Sequence, residues 1–499
     1  MSPPRLTYRF GPLERRGILG GVRAGQAITL GIGVLAAIAV LDQAPSATGA
    51  LVALLSFGVA VVLAVAPVGS RTAQEWAPIA AAFAVRHARG DGRFRSALPS
   101  AGMLARRGGR AGALALEPSA PSAPAALSGV RIVEAAYRDR AVGVLSERSG
   151  RRLTAVLACR VIAFSLLDAD AQERRLARWG LVLSGAASTP IRRIQWVERT
   201  APAQGDELAR WLHAERDPAI PLRGTAMIES YLELIGTTAQ VTQEHEILLA
   251  VQVDAGKVRD RGSDAALAAL IEQTERVAKG LEAAEVTVLG ALSAGQLARA
   301  LRTAFDPYAR AELAALESAD PGRDGLSEAN AWPLGADEAW EHYRSDGAVH
   351  STYWIGGWPR IDVSPMFMDA LLGRSSVVRT VAVTFEPIAP ARSTRDVEAA
   401  ITRDRADREL RHRFGQLETA RQRQAQDATL SRESELAAGH SEVRLAGFVT
   451  VSGRDRDDLR RAGSELLEHA ARARLELHRM YGQQADAFSF TLPLCRGLR

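Results

Sequence analysis

Apolar positions along this chain follow two regimes. Residues 24–41, AGQAITLGIGVLAAIAVL, are unbroken except for Gln26 and Thr29, and after the short polar turn 42–46 a second uncharged run covers 47–68. Each run is long enough to cross a hydrocarbon core of about 30 Å as a helix, at about 20 residues per span. Together they predict a transmembrane hairpin. A cleaved signal peptide and a buried core hairpin are the competing readings, but a signal's apolar region is usually about 7–15 residues and ends at a cleavage site. Small residues recur along one face of each helix: Gly25, Thr29, Gly33 and Ala37 on the first, Ser56, Ala60 and Ala64 on the second. Such spacing lets helix backbones approach closely in lipid, so these seven are the candidate packing residues. The Gly31-x-Gly33-x-x-Ala36 match to a dinucleotide fingerprint follows no strand and lies inside the first span, which removes its meaning.

Beyond the hairpin the pattern changes. Residues 71–89 suit a helix lying along a membrane surface with Trp76 at the interface. Residues 89–128 shift to Gly, Arg, Ala, Ser and Pro and read as a flexible connector. Strand and helix signals then alternate. Strands are expected at 130–134, 141–146, 153–164, 191–197, 246–253 and 286–289, and helices at 168–183, 207–215, 223–235 and 263–281. Ser293-x-x-Gln296 is a capping-box start for another helix. The second part repeats the theme without a close sequence repeat. Strands are expected at 350–355, 377–386, 443–451 and 488–492, one or two long charged helices at 393–438, and an amphipathic helix at 457–481. The expected fold is α/β or α+β: an amino-terminal transmembrane hairpin followed by a cytoplasmic mixed α/β body of two subdomains. The expected boundaries are 1–70 for the tail and hairpin, 71–128 for the basic juxtamembrane segment and linker, 129–330 for the first subdomain and 331–499 for the second.

Charge sets the orientation. The chain carries a net +5 with 47% hydrophobic residues. Five arginines against Glu14 precede the hairpin, and eight arginines against Glu75 and Asp91 fill residues 71–113, whereas the turn between the spans holds only Asp42. The positive-inside rule then puts both termini in the cytoplasm of a bacterial inner-membrane protein with two spans. Those flanks account for more than the whole excess, and residues 114–499 sum to −4. The basic residues therefore face anionic lipid beside the spans, and direct nucleic-acid binding by the body is not expected.

Composition also excludes chemistry. Only two lysines occur, Lys257 before Val258 and Lys279 before Gly280, so the Gly-Lys-Ser/Thr of a P-loop is absent. No Gly-x-Ser-x-Gly elbow and no His-Glu-x-x-His pair occurs. Glu244-His245-Glu246 sits on an expected strand, where neighbours point to opposite faces. Glu465 with His469, and Glu338 with His342, are read as helix-face salt links, and His440 after Gly439 as a turn residue. Trp332, Trp340, Trp354 and Trp358 suit core and turn packing, with ligand stacking as the alternative. Two cysteines, Cys159 and Cys495, make no disulfide framework. No catalytic residue, metal site or cofactor is assigned.

Short motifs carry a resemblance. Ile355-Gly356-Gly357-Trp358-Pro359, Thr384-Phe385-Glu386-Pro387, Ala438-Gly439-His440, Val443-Arg444-Leu445-Ala446-Gly447 and Phe488-Ser489-Phe490-Thr491-Leu492-Pro493-Leu494 resemble the amino-terminal domain of the ATPases that energise type IV secretion and conjugation. The hairpin, preceded by Arg9-Phe10-Gly11-Pro12-Leu13-Glu14-Arg15, is similar to the two-span inner-membrane subunit of those machines. The family-like positions are Trp358, Pro359, Glu386, Pro387, Gly439, Gly447, Leu492, Pro493 and Leu494; Cys495 departs from the glycine often found there. The resemblance implies a non-catalytic membrane component without a motor domain. It would anchor and dock a separately encoded P-loop ATPase, contact other channel subunits and oligomerise within the complex. A membrane-anchored enzyme, a signalling adaptor and a membrane-tethered nucleic-acid binder remain open beside it.

Overall fold

In the computed structural model the two apolar runs are helices α1 (Ala24–Gln43) and α2 (Ala47–Val65). Ser46 caps α2, its hydroxyl accepting from the Gly49 N–H at 3.1 Å. A two-strand ribbon, β1 (Pro67–Val68) and β2 (Arg71–Thr72), leads into α3 (Ala73–Arg89). Described are residues 24–68, 71–96, 123–137, 140–161, 164–202, 243–258, 262–310, 328–359, 361–373, 377–413 and 420–498, with a few isolated positions besides. The helix expected at 207–215 and most of the connector lie outside them; of the helix expected at 223–235, residues 226, 227, 229 and 230 are described, and they are helical. The chain divides into two compact units, one built on residues 92–395 and 433–499, the other on 11–91 and 396–432.

The first of these units holds β3 (Arg93–Arg95), β4 (Arg131–Tyr137), β5 (Arg140–Glu147), β6 (Arg152–Arg160), α4 (Ala169–Ala186), β7 (Ile191–Pro202), β8 (Gln243–Asp254), α5 (Ser263–Ala283), β9 (Thr287–Ala291) and α6 (Ala294–Phe305). It continues through β10 (Gly335–Glu338), β11 (Tyr343–Ser345), β12 (Ala348–Gly357), the single turn α7 (Asp369–Leu372) and β13 (Val378–Pro387). The charged stretch forms two helices, α8 (Pro390–Arg413) and α9 (Ala420–Ala437). β14 (Val443–Gly453), α10 (Arg456–Arg472), β15 (Glu476–Arg479) and α11 (Gln484–Ser489) complete the order.

Thirteen of these strands make one sheet, in the order β3-β10-β11-β12-β14-β13-β7-β8-β6-β5-β4, with β15 also on β12 and β9 also on β6. Every described pairing in it is antiparallel. The expected mixed α/β layering is thus realised as helices on an antiparallel sheet. Strands from both sides of residue 330 share that sheet, because β7 pairs with β13, Val197 opposite Ala382.

The order hides a duplication. β6-α4-β7-β8-α5-β9 has the β-α-β-β-α-β topology of a ferredoxin-like unit, its strands lying in the order β9-β6-β8-β7. β12-α7-β13-β14-α10-β15 repeats it as β15-β12-β14-β13. A hairpin precedes each unit and shares the edge of its first strand. β5 pairs with Arg152–Ala155 before β9 takes over at Leu157, and β11 pairs with Ala348–His350 before β15 takes over at Tyr353. Both second helices end in a non-glycine residue in the left-handed region, Glu285 at φ 61° and Arg474 at φ 58°. The antiparallel β7–β13 pairing relates the repeats by a pseudo-two-fold axis normal to the sheet, so their helices share one face. There Leu270 and Val277 of α5 and Leu459 and Leu466 of α10 fill neighbouring cores, and Trp196 of β7 packs against both. The opposite face is closed by α6, α11 and the segment after it, through Leu297, Leu301, Phe305, Phe488, Leu492 and Leu494.

Two expectations are corrected. The amphipathic pattern over 457–481 is not one helix: α10 stops at Arg472, the Leu475 N–H donates to the Ala470 carbonyl at 2.8 Å, and the chain turns into β15. The alternation Phe488-x-Phe490-x-Leu492 is not a strand either. It belongs to α11 and a tail that lies on the sheet face instead of extending its edge.

Candidate functional site

The hairpin brings its small residues together unequally. Gly33, Ala60 and Ala64 are buried, and a Cβ on Gly33 would overlap the Ala60 methyl, so only glycine permits that crossing. Ala37 and Ser56 are half-buried, and the Ser56 hydroxyl donates back to the Ala53 carbonyl at 2.8 Å. Both polar residues of the first run have partners: the Gln26 amide donates to the Ala64 carbonyl at 3.1 Å, and the Thr29 hydroxyl donates to Gln74 Oε1 of α3 at 2.9 Å. Gly25 faces the same Gln74 amide. Sequence spacing missed Gly49 and Ala53, which extend the buried face of α2, and Gln74, whose role depends on a contact 45 residues away. Large apolar side chains elsewhere on the hairpin, Leu54 at 73% and Leu35 at 68% among them, are exposed.

The nine motif positions are packing and turn residues. A Cβ on Gly447 would lie 3.0 Å from Trp358 Cζ2, so this glycine makes room for Trp358 and Ile355, while Pro359 is buried beside them. Glu386 accepts from Arg193 at 2.9 Å, and Pro387 ends β13 opposite Val443. Gly439 closes α9 at φ 91°, and the His440 N–H donates to the Glu435 carbonyl. Leu492, Pro493 and Leu494 are buried in the tail. Side chains from three strands, β7, β8 and β13, hold that tail. Arg193 donates to the Cys495 and Leu498 carbonyls, the Gln195 amide bonds both the Phe490 carbonyl and the Cys495 N–H, Gln252 donates to the Leu494 carbonyl, and Thr384 to that of Arg496.

Chemistry-bearing residues are placed apart. On β8, His245 meets Glu198 at 3.2 Å and Glu246 meets Arg199 at 2.8 Å. Glu465 accepts from Ser375 instead of closing a link to His469. Glu338 and His342 do not share a helix as expected: Glu338 ends β10, where its carboxylate accepts from the Ala485 N–H at 3.0 Å, and His342 lies in the turn to β11. The tryptophans form no common platform, Trp332 lying in the core beneath α6 and Trp358 in the core beneath α10. Burial pushes the Cys159 thiol up to about 11 and raises that of Cys495 further, which keeps both protonated and inert. His350 is wholly buried between Ser345 and Ser452, and burial lowers it to about 4. Among the described residues, no three or more His, Cys, Asp or Glu side chains are grouped to hold a metal.

The described residues thus combine two helices long and apolar enough to cross a membrane with a duplicated antiparallel body whose quoted motifs serve packing. Residues 241–355, running from β8 into β12, match a family model described as EccE, a putative type VII ESX secretion system translocon. A comparison with curated proteins finds no match. The EccE match corrects the type IV resemblance. Type IV secretion, conjugation and docking of a type IV ATPase are overturned by it, and the motif positions that suggested them are accounted for as glycine clearances, caps and core leucines.

Proposed function

We propose that this chain is a non-catalytic, membrane-anchored component of a type VII (ESX) secretion translocon. The EccE match over residues 241–355 carries the reading, and the apolar hairpin agrees with a place in the bacterial inner membrane. The arginine flanks favour both termini in the cytoplasm and anionic lipid beside them. In this reading Gly33 and Ala37 of α1 pack on Ser56, Ala60 and Ala64 of α2 within lipid, while Gly25 and Thr29 meet Gln74 of α3. Residues 1–70 are the tail and anchor, and 71–128 the basic juxtamembrane segment and linker. The two repeats support treating 129–330 and 331–499 as halves of the body. Physically the hairpin sets depth in the bilayer, and the rigid sheet presents surfaces to other membrane subunits of the translocon. Deleting the gene is expected to abolish secretion of type VII substrates. The full chain restores it, and a chain lacking residues 24–65 does not. Unchanged secretion after deletion contradicts the reading.

A further inference from the structure

α3 carries apolar residues on its exposed face as well as on its buried one. Its outward face is Ala77, Ala81, Ala84 and Ala88, flanked by Pro78 and Val85, and all six are exposed, Val85 at 46%. The opposite side holds the buried Ile79 together with half-buried Glu75, Phe83 and Arg86. A helix bordering water normally presents charge outward and apolar residues inward. The one acidic side chain of α3, Glu75, closes the cap at Thr72, and Arg86, His87 and Arg89 occupy the last turn.

The start of α3 is fixed at a defined depth. Gln74 bonds Thr29, which lies about 8 Å along α1 from its first residue at about 1.5 Å per residue. The Ala73 N–H donates to the Ala66 carbonyl just past α2. Arg71 stacks on the Trp76 ring at 5.5 Å, a cation–aromatic pair of the kind enriched at membrane interfaces. α3 therefore starts against the hairpin, so that its outward face begins next to the exposed apolar surface of α1 and α2.

We propose that α3 is a third membrane-contacting element, lying in the bilayer interface where the hairpin begins and ends, its outward face on acyl chains and its arginines at anionic phosphate headgroups. This rests on α1 and α2 being membrane spans. The ligand is a phospholipid surface, chosen over a protein partner by the neighbouring apolar surface of the hairpin and by the basic last turn.

The test is spin-label accessibility on the full chain in nanodiscs of phosphatidylglycerol and phosphatidylcholine. Labels are placed singly through Ala81→Cys, Val85→Cys and, as a reference on α2, Leu54→Cys; the native thiols are buried. Both α3 labels are expected to collide more with oxygen than with a water-soluble nickel complex, at a shallower depth than Leu54→Cys. Discs without phosphatidylglycerol are expected to bring the Val85→Cys label closer to water, and an unchanged depth would remove the anionic headgroup from the proposal. Nickel preference on α3 with oxygen preference at Leu54→Cys overturns the proposal and leaves the spans standing. Nickel preference at all three positions overturns the spans as well. Shielding of both α3 labels from both reagents identifies a protein on this face, such as a second copy, and also overturns the proposal.

Discussion

Arg193 joins three parts of the body. Its side chain is almost fully buried, bonds Glu386 of the other repeat at 2.9 Å and donates to the tail carbonyls of Cys495 and Leu498 at 3.2 and 2.7 Å. Arg193→Met leaves Glu386 and two carbonyls without their donor, and breaking a buried pair on one side costs about 3–5 kcal/mol. The urea midpoint of the purified chain is expected to fall accordingly; a loss under about 1 kcal/mol would show that the pair is not desolvated. His350 adds a pH dependence. Its folded pKa lies below the value of about 6.5 for a free histidine, so the unfolded chain binds the extra proton first. Stability is therefore undiminished above about pH 6.5 and declines as pH falls toward 4, by up to the order of 3 kcal/mol. Comparing denaturation at pH 7 and 4.5 for the parent and His350→Gln checks this, because the variant is expected to lose less on acidification. In the hairpin, Gly33→Leu forces the crossing with Ala60 apart. Disulfide trapping between α1 and α2 cysteines is expected to drop several-fold, whereas Gly31→Leu, which has open space around it, leaves trapping unchanged.

Longer-range order depended on signals of unequal strength. The hairpin spans, the core strands and the Ser293/Gln296 box were readable because apolar runs, period-2 patterns and caps are local; the box closes at 3.1 and 3.3 Å as its spacing predicts. β15 was not readable. Leu475 and Leu477 continue a helical pattern, and the chain leaves the helix through Arg474 in a left-handed conformation with no glycine to announce it. The duplication was hidden for a related reason: 18-residue α4 in one repeat corresponds to four-residue α7 in the other. Of the candidate packing face, the glycine and alanine spacing was legible, but the Thr29–Gln74 bond was not, since no local rule links residues 45 apart. α8 and α9 interrupt what is topologically a hairpin, with Pro387 opposite Val443. Replacing residues 390–440 by a short Asn-Gly turn is therefore expected to leave the thermal midpoint of the body within a few degrees of the parent. Loss of the folded sheet would show that these helices are part of its core.

The molecule as a whole couples an apolar anchor to a pseudo-symmetric sheet, and each part constrains function differently. A hairpin whose Gln26 and Thr29 both have hydrogen-bond partners and whose large apolar side chains are exposed fits lipid, not water. The body, mildly acidic and built from two repeats sealed at β7–β13, has its central strands occupied on both edges. As proposed, the chain is a resident subunit of a type VII translocon. Cross-linking mass spectrometry on native membranes, with the tagged full chain as bait, addresses it most directly. Cross-links from residues 241–355 to other type VII membrane subunits are predicted. Recovery of the chain from membranes without any such cross-link, while those subunits cross-link to one another, would contradict the claim.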